Sequence, residues 1–279
     1  MVTDYVGELI QHDTSFHIWS PVAGVEWPMI TSIDDYSRFL LYAKLLEQES
    51  TWAHIQASSS LILTYGCPYQ IYVDCHSIFR YVRGRDQLHH KFTKFTDQVD
   101  PQWKQVILDC QIKPVYALSA QAKGKVERPY RWIQDRLVRT CVSDNVKDIH
   151  HAQRILDEEV KRYNFRQIHS TTKEIPYFRF KNAIDSGKSL FRPFVVPKPF
   201  LLPKDIFCLR ASRLVDNYRT VSLGNIKFKL NCDDSRFAVD IRIYPLKNNL
   251  VEIRFWHQAK LIDVRTVKKT DLNLSNFHF

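Results

Sequence analysis

Hydrophobic and polar positions along this chain change their period several times. The stretch "GELIQHD" (7–13) alternates in part and predicts a strand ending near Asp13. "PMITSIDDYSRFLLYAKLL" predicts two more strands, joined by the turn formers Asp34, Asp35, Tyr36 and Ser37. From Ser50 to about Tyr65 the composition is helical, and Gly66 and Pro68 stop it. "YQIYVD" is a short β-rich run ending at Asp74. A charged section over 83–94 leads to a helix over about 100–109, and "IKPVYA" supplies another strand. The stretch "AQAKGKVERPYRWIQDRLVR" (120–139) reads as a helix, and further helices follow over roughly 148–165 and 173–184.

The order β-β-β-α-β-(insert)-β-α describes an α/β core with a mixed sheet and helices packed on it. Pro193, Pro197, Pro199 and Pro203 then forbid both helix and central strand. Residues 186–204 are therefore expected to link a core of 1–185 to a second domain of 205–272. That second part turns to strands: "RTVSL", "IKFKL", "FAVDIRIYP", "LVEIRFW" and "KLIDVRTV". Gly224-Asn225 and Asn248-Asn249 sit where hairpin turns belong, and a small C-terminal antiparallel β-barrel is the economical expectation.

Composition narrows the class. Of 279 residues, 44% are hydrophobic and 13% aromatic, which excludes disorder of the whole chain. No apolar run approaches the roughly 18 residues of a membrane span. The N-terminus has an early acid and no apolar signal core, so a cytoplasmic protein with no membrane partner is expected. The six cysteines form no CxxC pair and fit reduced, mostly buried thiols. "DCH" at 74–76 lacks the second Cys/His pair that a structural zinc site needs.

Charge alters the picture further. The net charge of +10 calls for a polyanionic partner. Residues 1–76 hold two basic residues against nine acids, a net of −7, so the remainder carries +17. That separation fits carboxylates holding metal ions while other segments hold a nucleic-acid backbone, although plain surface charge gives the same count.

Three carboxylates stand out. Asp13 and Asp74 fall at predicted strand ends, where side chains converge beside a sheet, and Glu127 opens a helix just after another strand. The separations are 61 and 53 residues. Glu127 lies among Lys123, Lys125, Arg128 and Arg131. The bland reading is a solvated helix with i,i+4 pairs, Glu127 with Arg131 and Asp135 with Arg139, worth about 0.2–0.5 kcal/mol each. The functional reading is a carboxylate that holds a metal while its neighbours hold phosphates. Mg²⁺ prefers carboxylate oxygens. Two such ions about 3.5–4 Å apart activate the attacking oxygen and stabilise the leaving one.

The stretches "IQHDTSFHIW", "SIDDYSRFLLYAKL", "IYVDCHSIF", "AKGKVERPYRWIQDRL" and "YNFRQIHSTTKEIPYFRF", spanning roughly 7–180 in this order, resemble the DDE integrase/transposase superfamily, most closely bacterial insertion-sequence transposases. The resemblance implies a ribonuclease-H-like core, with Asp13, Asp74 and Glu127 as catalytic metal ligands for two Mg²⁺ (or Mn²⁺) ions. It places Lys123 and Lys125 near DNA. The chain departs from the family pattern in having Cys75-His76-Ser77 after the second Asp. Its second spacing is also longer than in retroviral integrases, and is ascribed to an insertion around 83–109.

Other residues have competing readings. Asp34 and Asp35 are expected to be turn residues rather than extra ligands. His12 should face away from Asp13 and be structural, whereas His76 is a candidate to orient a phosphate or water near Asp74. Trp103, Tyr130 and Trp132 read as core or core edge, since base stacking needs exposed rings. The basic residues of 227–269 either solvate the second domain or touch DNA.

The expected function is thus metal-dependent DNA strand transfer: hydrolysis at an element end, then attack of the freed 3′-OH on target DNA. The partners would be element ends and target duplex, with the protein a homo-oligomer on DNA in the bacterial nucleoid. A catalytically inactive or fragmentary DNA-binding relative is the alternative, and a plain ribonuclease-H-like nuclease a third. Twelve residues precede Asp13, too few for a helix-turn-helix reader, so end recognition is expected to need a longer form or a partner.

Overall fold

The computed structural model describes residues 3–74, 76–79, 101–117 and 127–272, with the side chains of 127–131 outside that description. The chain divides into two compact units, residues 1–49 with 57–194 and residues 195–279 with 50–56.

The first unit is mixed α/β. Its five-stranded sheet has the order β3-β2-β1-β4-β5, with β1 Leu9–Ser20, β2 Val25–Asp34, β3 Leu40–Leu45, β4 Gln70–Val73 and β5 Lys113–Tyr116. The first three strands are antiparallel neighbours, whereas β1–β4 and β4–β5 are parallel. Helix α1 (Thr51–Tyr65) leads from β3 into β4, and α2 (Gln102–Asp109) precedes β5, so helices enter the crossovers that parallel pairing requires. α3 (Glu127–Ser143), α4 (Ile149–Arg166) and α5 (Pro176–Asp185) follow.

Each helix has a local cause. In α3 the buried Ile133, Leu137 and Cys141 recur every four residues and form one apolar stripe. α4 starts at Asp148, whose carboxylate accepts the His151 amide at 2.9 Å. α5 has Pro176 at its first turn, where a missing amide costs nothing, so it begins three residues later than the sequence pattern predicts. The α3 stripe packs with Leu156 and Tyr163 of α4 against Trp19 and Trp27 of the β1–β2 hairpin.

β1 corrects one expectation. It does not stop near Asp13 but continues to Ser20, because residues 14–17 keep pairing with 27–30 of β2. Asp13 is consequently a mid-strand residue of β1.

The second unit contains α6 (Pro203–Ile206), a four-stranded antiparallel sheet in the order β11-β10-β9-β6, and a two-stranded β7–β8 ladder, with the short α7 (Lys269–Leu272) at its end. The strands are β6 Leu209–Leu214, β7 Thr220–Leu223, β8 Ile226–Lys229, β9 Ala238–Pro245, β10 Leu250–His257 and β11 Lys260–Lys268. Both predicted turns are present: Gly224-Asn225 joins β7 to β8, and Asn248 and Asn249 adopt φ of 60° and 57° between β9 and β10. The expected barrel is not closed. β6 and β11 remain the edges of the four-stranded sheet, and β7 and β8 pair with each other, so no ladder among the described residues completes a ring. Val239, Ile241, Ile253 and Phe255 form this unit's core.

Candidate active site

The parallel register of the central strands positions the first two carboxylates. Leu9, Ile10 and Gln11 of β1 pair with Gln70, Ile71 and Tyr72 of β4. Two residues beyond the last pair on each strand lie Asp13 and Asp74. The same step on both strands keeps them level and, by the two-residue period, on one face of the sheet. Adjacent strands are about 4.8 Å apart, a spacing at which two carboxylates can share a cation. Both residues are half-buried. The His76 amide donates to Asp74 Oδ1 at 2.9 Å and fixes the turn after β4. His76 itself is exposed beside this turn.

The opposite face of β1 is occupied by core. His12 is buried, with its Nδ1 2.8 Å from Ser32 Oγ and its ring stacked on Trp103 at 6.0 Å and edge-on to Phe79 at 5.9 Å. His12 is therefore structural, in keeping with its adjacent, opposite-facing position. Trp103 is fully buried and donates to Ser58 Oγ, and Trp132 packs on Tyr163 at 5.3 Å, so both rings belong to the core rather than to an exposed stacking surface.

α3 runs along the same face as Asp13. Gln134 Nε2 lies 3.2 Å from His17 Nε2, and Ser20 Oγ donates to the Val146 carbonyl just beyond the helix. Two such contacts in the same chain order give α3 the direction of β1. From Gln134 back to Glu127 is about 10 Å of helix. From His17 back to Asp13 is about 13 Å of strand. The first turn of α3 thus lies on the Asp13 side of the His17–Gln134 contact. Sequence reasoning had not singled out His17 or Gln134, which line a cavity of about 430 Å³ with Asp135, Val138 and Arg139. Their only signal was position, on an odd residue of β1 and on the flank of the apolar stripe of α3.

Several predicted residues lie outside the described ones: Lys123 and Lys125 entirely, and the side chains of Glu127, Arg128, Tyr130 and Arg131. Among the described residues, no group of three or more His, Cys, Asp or Glu comes together as a metal site. Asp13, Asp74 and Glu127 would each offer the hard oxygen donors that a divalent cation prefers, so their donor chemistry fits such an ion. The Asp135–Arg139 pair forms at 2.6 Å, with both side chains more than half exposed. It contributes little to stability.

Asp34 and Asp35 serve the β2–β3 turn. Asp34 is fully buried and accepts the Ser37 amide and hydroxyl at 2.8 and 2.5 Å. Asp35 accepts Arg38 at 2.8 Å and the Thr3 hydroxyl at 3.0 Å, and Gln11 Nε2 also donates to it. Arg179 closes the same region, donating to the Tyr36 carbonyl at 2.9 Å and to Glu174 at 2.6 Å. Five cysteines among the described residues are free thiols, four of them buried. No described helix is long and apolar enough to cross a membrane.

No family model matches the sequence. Among curated proteins it is 27% identical over 226 residues to y4bF of Sinorhizobium fredii, which is named as a transposase; the match covers 80% of this chain and 44% of that protein. It is also 27% identical over 161 residues to the transposase for insertion sequence IS1202 of Streptococcus pneumoniae, covering 57% of this chain and 33% of that one. The chain therefore spans less than half the length of these relatives. Among solved structures, a chain of the simian T-cell lymphotropic virus intasome with PP2A regulatory subunit B56 gamma aligns at 11% identity and a TM-score of 0.49, covering 94% of this chain and 81% of that one. The HTLV-2 integrase catalytic core domain in complex with magnesium aligns at 16% identity and a TM-score of 0.43, covering 62% and 95%. The chain is thus similar to two bacterial transposases, consistent with the DDE transposase/integrase superfamily that its motifs resemble.

Proposed function

We propose that this chain is the catalytic region of a metal-dependent DNA strand-transfer enzyme of the DDE type. The observation that supports this most is the level placement of Asp13 and Asp74 on neighbouring parallel strands, on the face along which α3 runs. In this reading Asp13, Asp74 and Glu127 would hold the cations. Two Mg²⁺ or Mn²⁺ ions, when bound, would supply Lewis-acid stabilisation of the attacking and leaving oxygens.

The chain's own residues then have distinct tasks. Lys123, Lys125, Arg128 and Arg131 hold the phosphate backbone next to Glu127, and His76 orients a phosphate or water beside Asp74. Water attacks the phosphodiester at the element end and releases a 3′-OH. That 3′-OH attacks a target phosphodiester, forming the new strand junction and freeing the target's own 3′-OH. Bond making and breaking balance at each phosphorus, so no nucleotide cofactor and no covalent enzyme intermediate is needed. Residues 205–272 add DNA contacts beyond the 186–204 linker, and the protein acts as a homo-oligomer on element ends and target duplex in the nucleoid.

The alternative is an inactive or fragmentary DNA-binding relative. A labelled donor-end duplex incubated with protein and Mn²⁺ or Mg²⁺ separates the readings. Joined product supports strand transfer, cleavage alone indicates a nuclease, and no product at a protein concentration that binds the DNA indicates the inactive relative.

A further inference from the structure

Two cysteines outside the candidate active site are brought together by the fold. β4 and β5 are parallel, with Gln70 opposite Lys113. Cys67 lies three residues before the first and Cys110, the C-cap of α2, three before the second, so both stand at the entrance to the parallel pair. Both are buried, at 4% and 5% exposure. The Cys110 thiol hydrogen-bonds the Cys67 sulfur.

Arg192 clamps the pair. Its amide donates to the Cys67 carbonyl at 2.9 Å, and its carbonyl accepts the Cys67 amide at 2.7 Å. Its guanidinium donates to the carbonyls of Gln111 at 2.8 Å and Cys110 at 3.4 Å. This close approach depends on Gly66, where an added Cβ would stand 2.5 Å from the Arg192 carbonyl oxygen. A cleft of about 390 Å³, lined by Tyr65, Gly66, Phe191 and Arg192 among others, brings solvent to within one residue of Cys67. The Cys110 hydrogen bond and the Arg192 charge hold the Cys67 thiol below its ordinary value despite burial. Cys141, with no such partners, is pushed up to about 11 by burial and by the Asp144 charge. A low thiol beside a cation and a second thiol is the arrangement of a reactive pair, because the thiolate is the attacking species.

We propose that Cys67 and Cys110 are a dithiol modification site that closes to a disulfide on reaction with a low-molecular-weight disulfide. The Cys67 thiolate attacks one sulfur of that disulfide, forming a mixed disulfide and expelling the first thiolate. Cys110 gives up its proton and attacks Cys67 Sγ, expelling the second. Two protein thiols are oxidised and one small disulfide is reduced to two thiols. The bridge closes a loop that contains Asp74 and His76, so oxidation restrains the segment carrying the second candidate carboxylate.

The test uses the full chain with oxidised glutathione, alkylation of the remaining thiols, and peptide mapping, and it reads no DNA chemistry. A Cys67–Cys110 cross-linked peptide is expected in the native protein well before Cys141 reacts, with a rise in Tm of about 5 °C. In Cys110→Ser, whose fold is checked by circular dichroism, the glutathione adduct should instead accumulate on Cys67. Arg192→Gln should slow the reaction most at the lower end of the pH range. If native protein leaves Cys67 and Cys110 as thiols while Cys232 is fully modified, or if Cys141 reacts first, the proposal is overturned.

Discussion

The Gly7 amide donates to Asp34 Oδ1 at 2.8 Å, tying the approach to β1 to the end of β2. With the two Ser37 donors, this makes Asp34 the buried organiser of a turn. Desolvation nevertheless pushes its carboxyl from 3.8 up to about 6. Its folded value lies above the unfolded one, so its contribution to stability is full below about pH 4 and is lost as pH rises through about 6. Asp34→Asn removes that titration and disrupts the Ser37 contacts. The stability advantage of wild type over Asp34→Asn should shrink by on the order of 2–3 kcal/mol between pH 4 and pH 7. Urea denaturation at each pH measures it, and a pH-independent difference would contradict it. Activity per folded molecule should be unchanged in this variant, since Asp34 is a turn residue and not a ligand.

Asp13→Asn, Asp74→Asn and Glu127→Gln should each abolish cleavage and joining while Tm stays within a few degrees of wild type. Each change removes a charged oxygen donor with almost no change of volume. Retention of more than about a tenth of wild-type activity, a loss of less than roughly 1.4 kcal/mol of transition-state stabilisation, would remove that residue from the site.

Replacing Lys123 and Lys125 with Ala should flatten the dependence of DNA affinity on salt. Each lost phosphate contact lowers the log–log slope by about 0.9 on duplex DNA. Sequence preference should not change, because phosphate contacts carry no base information. Titrations across a series of salt concentrations give the slope, and an unaltered slope would return both lysines to the solvated surface.

In the second unit, Arg254 Nε meets Asp205 Oδ1 at 2.5 Å with both side chains buried, and the Leu202 amide also donates to that carboxylate at 2.9 Å. Asp205→Ala leaves the buried guanidinium with Glu252, at 3.0 Å, as its remaining counter-charge and takes the acceptor from the Leu202 amide, which costs about 3 kcal/mol, the lower end for a broken buried pair. Chemical denaturation should show that loss. Replacing Asp205 and Arg254 together should recover part of it, and a double variant no better than the single one would show that the pair is not the cause.

The order of elements was legible because it rests on local physics. Short β-rich runs marked β4 and β5, Gly66 and Pro68 stopped α1, and the two asparagines at 248–249 took the left-handed turn that the β9–β10 hairpin requires. The odd-and-even logic of a strand also sent His12 into the core and away from Asp13. Where local pattern misled, partners decided. β1 runs on past Asp13 because β2 continues to pair with it, and the C-terminal strands stay an open sheet with a separate hairpin because closure is a matter of which edges meet.

The candidate carboxylates show the same division. Their residue types and the place of Asp74 just after β4 can be read from the chain, whereas the expected strand end at Asp13 is mid-strand. That Asp13 stands level with Asp74 cannot be so read, because it depends on the parallel register of β1 and β4, two strands separated by two others and a helix. The direction of α3 and the pairing of Cys67 with Cys110 are likewise consequences of that sheet. Sequence determined the chemistry available at each position and the local elements that carry it. Tertiary pairing decided which of those positions became neighbours, because register between distant strands is set by hydrogen bonds and packing that no local window contains.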